Sequence, residues 1–213
     1  MIKITTNPDK KLWTQFVYNH PYGNIFQTPI MSEIYRNTKN YQPVILAAIE
    51  SKTNDISALV QAVIMKEFTG ILDQFTARSI ITGGPLYLDS ETGKNAAVQL
   101  MEYYDRTVGS QVIYTEIRNL WDLNKTALLP GYVFEEHLNY LIDLTLGKEK
   151  LWINLSKARK YGINKSRKAG VVVEELKTLK ERDILYDLLS DTYKKARLPL
   201  ADKSLFCALC QSP

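Results

Sequence analysis

The chain has 213 residues, of which 45% are hydrophobic and 23% are charged, a composition typical of a globular protein that can bury a sizeable core. No run of about 18 apolar residues is present, which argues against a transmembrane helix, and the first residues lack the apolar segment of a secretory signal. We therefore expect a cytoplasmic protein. The net charge of +4 is unevenly distributed: residues 148–170 contain eight basic residues and one acidic residue, a net of +7, so the rest of the chain carries −3.

The order of predicted elements defines the fold class. The first 110 residues predict a strand (2–6), two helices (9–19 and 29–37), three strands (43–51, 57–68 and 72–81), and a helix (93–108). The following residues predict a strand (111–119), a short helix (121–129), a strand (132–144), a basic helix (151–170), a strand (171–176) and two helical segments (181–197 and 202–210). This order predicts an α+β fold in which a mixed sheet is flanked by helices, as in GNAT-type acyltransferases.

The pattern begins again after Gly170, where one strand and two helices follow. One strand with two helices is too little to close a sheet-backed core of its own. We therefore expect a first GNAT-like domain at residues 1–147, a basic connecting helix at 148–170, and the incomplete start of a second GNAT-like domain at 171–213. In this form we expect the chain to show little or no turnover.

The basic segment predicts a helix with one cationic face. Residues placed at 100° intervals from Lys157 divide into an apolar, small-residue face and a second face that carries the charge. Arg159 falls at the edge of the apolar face, near Trp152, and the interior Gly162 predicts close packing there. The residues on the cationic face are Lys157, Lys160, Tyr161, Asn164, Lys165, Arg167 and Lys168.

A solvated helix face is the plain interpretation of this pattern. However, the face has no acidic residues at i±4 to balance it, and an arginine at a buried edge needs an anionic partner. A bound phosphate would account for both features.

The segment "LWINLSKARKYGINKSRKAGVVVEE" resembles the signature helix of the Fem-type (FemABX) aminoacyltransferases, in which the pattern L-x-x-R-x-x-I-x-K-A-x-x-x-G-V joins two GNAT-like halves. Arg159, Ile163, Lys165, Gly170 and Val171 stand at or close to the signature positions, with Ser166 where the family usually has Ala. The segment "GNIFQTPIMSEIYRNTKNYQPVILAAIE" resembles an early helix and strand of the same family. Here Met31 stands where the family usually has Trp, and Tyr35, next to Arg36, stands where a substrate-binding Lys often occurs.

The resemblance implies transfer of an amino acid from aminoacyl-tRNA to the amine of a peptidoglycan precursor. Such an aminolysis needs two aligned substrates and stabilisation of an oxyanion, and both substrates carry phosphates that suit a cationic helix. The implied partners are the phosphate-bearing precursor, aminoacyl-tRNA, a membrane-bound lipid precursor that is contacted peripherally, and a second copy of the chain through residues 171–213. DNA is not among them, and no cofactor is implied.

The candidate substrate-binding residues come from three places. The basic segment contributes Arg159, Tyr161, Asn164, Lys165 and Lys168, and the early helix region contributes Gln27 and Arg36. Glu116 and Arg118 are two residues apart in a strand, so their side chains lie on the same face. They are candidates to line a cleft, and the alternative interpretation is a surface ion pair. Gln27 begins a helix, which capping or packing would explain equally well. Asp73 and Arg78 are weaker candidates, and no catalytic residue is predicted.

Several other functions stay open. An acyl-CoA-dependent N-acetyltransferase normally has a Q/R-x-x-G-x-G/A loop, and none of the ten glycines is followed two residues later by Gly or Ala. A non-catalytic nucleic-acid-binding protein would use the basic helix on a phosphate backbone, and an inactive remnant would explain the abbreviated second half. No P-loop, HExxH or GxSxG motif is present, and the single C-x-x-C at Cys207 and Cys210 lacks a second ligand pair, so no metal site is predicted.

Overall fold

A computed structural model describes residues 2–66, 76–119, 129 and 131–211. The chain divides into two compact units, of which the first comprises Met1–Phe134 with Tyr186–Pro213 and the second comprises Glu135–Leu185. The predicted domain boundaries at 147 and 170 stay predictions. The predicted helix at 121–129 and the candidate Asp73 lie outside the described residues, apart from Leu129.

The first unit is built on a mixed sheet. Its strands are β1 (Ile2–Thr5), β2 (Tyr41–Glu50), β3 (Ile56–Met65), β4 (Arg78–Thr82), β5 (Leu86–Tyr87) and β6 (Tyr114–Arg118). The strand order is β1-β2-β3-β4-β6, and β5 pairs with β3 beyond the end of β4. All described pairs are antiparallel except β4 with β6, which is parallel. The predicted α+β fold with a mixed sheet flanked by helices is confirmed.

Three helices cover the sheet, and each begins at a side-chain cap. They are α1 (Lys10–Asn19), α2 (Pro29–Arg36) and α3 (Glu91–Val108). Asp9, Thr28 and Ser90 accept hydrogen bonds from main-chain N–H groups in the first turns, which satisfies donors that a helix leaves free.

The two faces of the sheet bury different helices. On one face, α3 packs Leu100, Met101 and Tyr104 against Val60 and Ile81. On the other face, α1 packs over Leu59 and α2 packs over Val63 and Ile80. Because side chains alternate along a strand, odd-numbered and even-numbered residues lie on opposite faces of the sheet. In β3, Val60 lies on the α3 side, and Leu59 and Val63 lie on the side of α1 and α2.

The C-terminal residues include α6 (Leu179–Ala196) and α7 (Lys203–Gln211). In the first unit, Ala208 of α7 is buried in the same cluster as Met31 and Ile34 of α2. The N–H of Lys39 donates to Ser204 Oγ at 2.7 Å. These contacts attach α7 to α2.

The second unit contains α4 (Gly147–Asn154) and α5 (Lys157–Lys168), where the sequence predicted one helix over 151–170. The predicted single helix is wrong because the chain leaves helical geometry at Leu155 and Ser156 then caps α5, accepting a hydrogen bond from Arg159 N–H at 3.3 Å. The predicted end at Gly170 is confirmed. Gly170 has a φ of 79°, its N–H donates to Arg167 O, and Val171 N–H donates to Ser166 O, which is a Schellman motif.

Two predicted strands are wrong. Residues 132–143 and 171–177 have no regular secondary structure, and apart from the half-buried Tyr132 their apolar side chains are exposed, with Tyr140 at 92% and Val173 at 95%. Their β-branched and aromatic composition favours strands, but a strand also needs hydrogen bonds from a neighbouring strand. Among the described residues no strand pairs with either segment.

Candidate functional site

One face of the sheet in the first unit collects polar side chains around the parallel pair β4–β6. Strand register places Tyr41, Met65, Arg78 and Tyr114 in one row across β2, β3, β4 and β6. The next row on this face contains Val63, Ile80 and Glu116. Val63 and Ile80 pack against α2, so the side chains of both rows lie on the α2 side of the sheet.

Glu116 and Arg118 share this face, as the sequence predicted. Arg118 Nε donates to Glu116 Oε1 at 2.8 Å and a terminal guanidinium nitrogen donates to Oε2 at 3.0 Å, which is a bidentate pair. The hydrogen bond to Glu116 raises the pKa of Arg118. Both side chains are about half exposed, so the pair holds the guanidinium in place at an accessible position.

Two tyrosine side chains lie near these charges, Tyr35, which is buried, and Tyr41, which is half-buried, and sequence reasoning did not select them. Burial raises the pKa of Tyr35 in α2 to about 12; the neighbouring Tyr41 adds to this, and the Arg118 guanidinium opposes it. Burial also raises the pKa of Tyr41, against the opposing charge of Arg78. The two rings lie 6.1 Å apart. Neutral phenols near guanidinium groups provide hydrogen-bond donors for an anion or a developing oxyanion. At position 35 this chain has Tyr where the family that the sequence resembles often has Lys, and this departure was the signal available in the sequence.

Gln27 is fully buried, and its side-chain amide is held by main-chain groups. Its Nε2 donates to Gly83 O at 3.1 Å and to Gly84 O at 3.0 Å, and its Oε1 accepts from Asn24 N–H at 3.1 Å. Gly83 and Gly84 follow β4 with φ values of 92° and 67°. The Gly83 N–H donates to Arg118 O at 2.8 Å, so Gln27 fixes the turn that adjoins the end of β6.

Arg36 lies on the exposed side of α2, where its guanidinium donates to Glu33 Oε1 at 2.8 Å. Lys10 donates to the same oxygen at 3.0 Å, and these two cations lower the pKa of Glu33. The pairs are open to solvent, so each contributes little to stability.

In the second unit, α5 carries the predicted cationic residues on an exposed helix. Arg159, Tyr161, Asn164, Lys165 and Lys168 are all exposed, and the burial expected for Arg159 is wrong because α5 has no buried residue. The packing expected at Gly162 is also wrong, since an added Cβ there would meet nothing within 4 Å. Trp152 of α4 lies 5.7 Å from the Arg167 guanidinium, and Lys160 Nζ donates to Ile153 O at 2.9 Å.

The charge on α5 has no acidic counterpart in the described part of the chain. No salt bridge within those residues involves a cation of α5. The structure thus brings Glu116, Arg118, Tyr35 and Gln27 together in the first unit, and it brings the five predicted residues of α5 together in the second. The role of each as a substrate-binding residue stays a prediction.

Two further absences concern the described residues alone. None of the helices in them is long and apolar enough to cross a bilayer. In the same residues, no group of three His, Cys, Asp or Glu side chains could hold a metal ion.

The sequence was compared with known proteins. No protein-family model matches it, and no curated protein matches it significantly.

Several of the similar solved structures are acetyltransferases. An aminoglycoside 6′-N-acetyltransferase from Acinetobacter baumannii matches with 16% identity and a TM-score of 0.44, over 67% of this chain and 98% of that one. An acetyltransferase from Trypanosoma brucei has 12% identity and a TM-score of 0.44 over 67% and 99%. A GNAT family acetyltransferase from Staphylococcus aureus has 13% identity and a TM-score of 0.40 over 68% and 98%. Similarity at this level says nothing about catalysis or substrate.

Proposed function

We propose that this chain takes part in transfer of an acyl group to an amine, with aminoacyl-tRNA as the acyl donor and a phosphate-bearing peptidoglycan precursor as the acceptor. The observation that carries the proposal is the cationic face of α5. It is exposed, it has no acidic partner among the described residues, and it lies in the segment that resembles the Fem-type signature helix.

The charge on α5 supports a phosphate ligand on physical grounds. Guanidinium groups bind phosphate oxygens through two parallel hydrogen bonds, and ammonium groups act as point charges. Arg159, Lys165 and Lys168 are available for such contacts because each is exposed. Both the donor tRNA and the precursor carry phosphates, so one cationic helix serves either substrate.

Groups on the α2 side of the sheet support the acyl-transfer step. Attack of an amine on an ester produces a tetrahedral oxyanion, which donors held in place before the reaction stabilise. The Tyr35 phenol stays neutral through the physiological range, and Glu116 holds the Arg118 guanidinium in one orientation. We assign these two groups to carbonyl polarisation. Gln27 acts through the Gly83–Gly84 turn as a positioning residue.

Acyl-CoA fits the same charges about equally as a donor, because it also carries phosphates. The chain lacks the Q/R-x-x-G-x-G/A loop that would hold a pyrophosphate on main-chain N–H groups. We therefore keep acyl-CoA as the second donor, and the experiment separates the two.

The test is the mass of the acceptor after incubation with the chain. The precursor is mixed with aminoacyl-tRNA in one arm and acetyl-CoA in the other, and the protein is supplied in stoichiometric amount so that a single turnover is detectable. Gain of one aminoacyl group supports the proposal, and gain of an acetyl group alone supports the second donor. Binding of tRNA without any new amide would favour a non-catalytic nucleic-acid-binding protein.

A further inference from the structure

The chain between the paired residues of β4 and β5 contains two residues more than the stretch of β3 that lies opposite it. Val63 pairs with Ile80 and Leu59 pairs with Leu86, so the three residues 60–62 of β3 lie opposite the five residues 81–85, which comprise the end of β4 and the turn to β5. The excess is a bulge that contains Gly83 and Gly84, both with positive φ. Gln61 is the middle one of the three β3 residues, so it lies opposite this bulge.

The side-chain amide of Gln61 is fully buried in β3. It is 1% exposed, and neither its Nε2 nor its Oε1 has a hydrogen-bond partner within the described part of the chain. Its neighbours on the same face, Leu59 and Val63, pack under α1 and α2. Buried amides are almost always hydrogen-bonded, so an unsatisfied donor and acceptor on one side chain indicate a group that binds there.

A second unsatisfied donor lies at the same bulge. Asn24 Nδ2 is buried without a partner among the described residues, and it lies against Gly83, where a Cβ would come within 2.4 Å of it. The side-chain amide of Gln27 is closed to a ligand by its bonds to Asn24, Gly83 and Gly84. The polar atoms without a partner at the bulge are therefore two donor nitrogens, Asn24 Nδ2 and Gln61 Nε2, and one acceptor oxygen, Gln61 Oε1, among the described residues.

We propose that the Gly83–Gly84 bulge, with Gln61 and Asn24, binds a peptide-type amide of the acceptor substrate. A neutral amide offers one N–H and one carbonyl oxygen with two lone pairs, which match the free acceptor and the two free donors. A carboxylate has no donor for Gln61 Oε1 and would lose its hydration in this buried position, which is unfavourable. The space that a Cβ of Gly83 would take is filled by the side-chain amides of Asn24 and Gln27, so a glycine at this position lets these amides lie against the main chain.

This inference rests on the proposed function, because an acceptor built on a peptide stem carries such amides beside its reacting amine. Holding the neighbouring amide would align the amine with the acyl carbonyl, which is the positioning that aminolysis requires. The site is on the first unit and is independent of the charges on α5.

The experiment uses N-methylacetamide as the probe and the side-chain N–H resonances of Gln61 and Asn24 as the readout in nuclear magnetic resonance. Methyl acetate, which keeps the carbonyl and lacks the N–H, is the matched probe. Gln61→Met conserves volume and removes both hydrogen-bonding atoms, and Gln42→Met on the exposed part of β2 is the control variant. Because Gln61→Met removes an unsatisfied amide, we expect it to fold at least as stably as the natural chain.

We expect saturable shifts of both resonances with N-methylacetamide, binding at least tenfold weaker in Gln61→Met, and unchanged binding in Gln42→Met. Methyl acetate should bind several-fold more weakly than the amide. Equal binding in Gln61→Met would overturn the proposal, as would a structural water at Gln61 that the probe does not displace. Amide binding without any acyl transfer would contradict the proposed function and would support this amide site. Acyl transfer without amide binding would support the proposed function and would contradict this amide site.

Discussion

Replacing Gln27 by Met tests whether one buried side chain holds the turn that adjoins the candidate site. The substitution keeps the volume and removes three hydrogen bonds, two to the carbonyls of Gly83 and Gly84 and one from the N–H of Asn24. Gln27 is 0% exposed, so water cannot replace these bonds. At about 1 kcal/mol for each neutral hydrogen bond, the free energy of unfolding should fall by about 3 kcal/mol.

The measurement is urea unfolding followed by the indole N–H resonance of Trp13. This group reports on the first unit because it donates to the main-chain carbonyl of Gln27 at 2.6 Å. Gln42→Met, at an exposed position of β2, should change the free energy of unfolding by less than about 0.5 kcal/mol. A loss below about 1 kcal/mol for Gln27→Met would refute the assignment of Gln27 as the residue that fixes the turn.

Three further outcomes follow from the structure. Gly162→Ala should stabilise α5 by about 0.5–1 kcal/mol in amide hydrogen exchange, because the site is open, whereas Gly170→Ala should destabilise it because of its φ of 79°. The folded-state pKa of Tyr35, about 12, exceeds the unfolded value of about 10, so its contribution to stability is complete below about pH 10 and is lost as the pH rises to about 12. Between about pH 10 and about pH 12, the urea midpoint of Tyr35→Phe should therefore decrease by less than that of the natural chain. An equal decrease in both proteins would contradict the raised pKa of Tyr35. Val173→Ser should leave the free energy of unfolding within about 0.5 kcal/mol of the natural value, because this side chain is 95% exposed; a larger loss would mean that residues 171–177 are packed.

The sequence was sufficient for the elements whose signals are local. The helices of the first unit were predicted at 9–19, 29–37 and 93–108, the last from its periodic apolar residues, and their bounds in the structure differ by no more than about two residues. The alternation in β6 correctly placed Glu116 and Arg118 on one face. These features depend on residues within one or two turns of each other.

The remaining features depend on pairing that periodicity does not encode. The apolar run at 171–177 resembles a strand, yet it has no neighbouring strand among the described residues. Ser156 caps α5 inside a segment whose helical periodicity continues through it, so the break between α4 and α5 was missed. Tyr41 and Gln61 became candidates only when strand register placed them in line with Arg78 and opposite the glycine bulge. Tyr35 became a candidate only when α2 packed over Val63 and Ile80, on the face of the sheet that carries Arg118.

Binding of phosphate by the charge on α5 is measured by calorimetric titration of the precursor against two variants of this helix. Arg159→Ala removes a bidentate donor near the start of the helix, and Lys168→Ala removes a point charge at its end. At low salt, Arg159→Ala should weaken binding by about 1.5–3 kcal/mol, as expected for a lost charge-assisted hydrogen bond. Lys168→Ala should cost less, and its effect should shrink as the salt concentration rises. Equal and negligible losses in both variants would contradict the account and would make the cationic face of α5 a solvated surface.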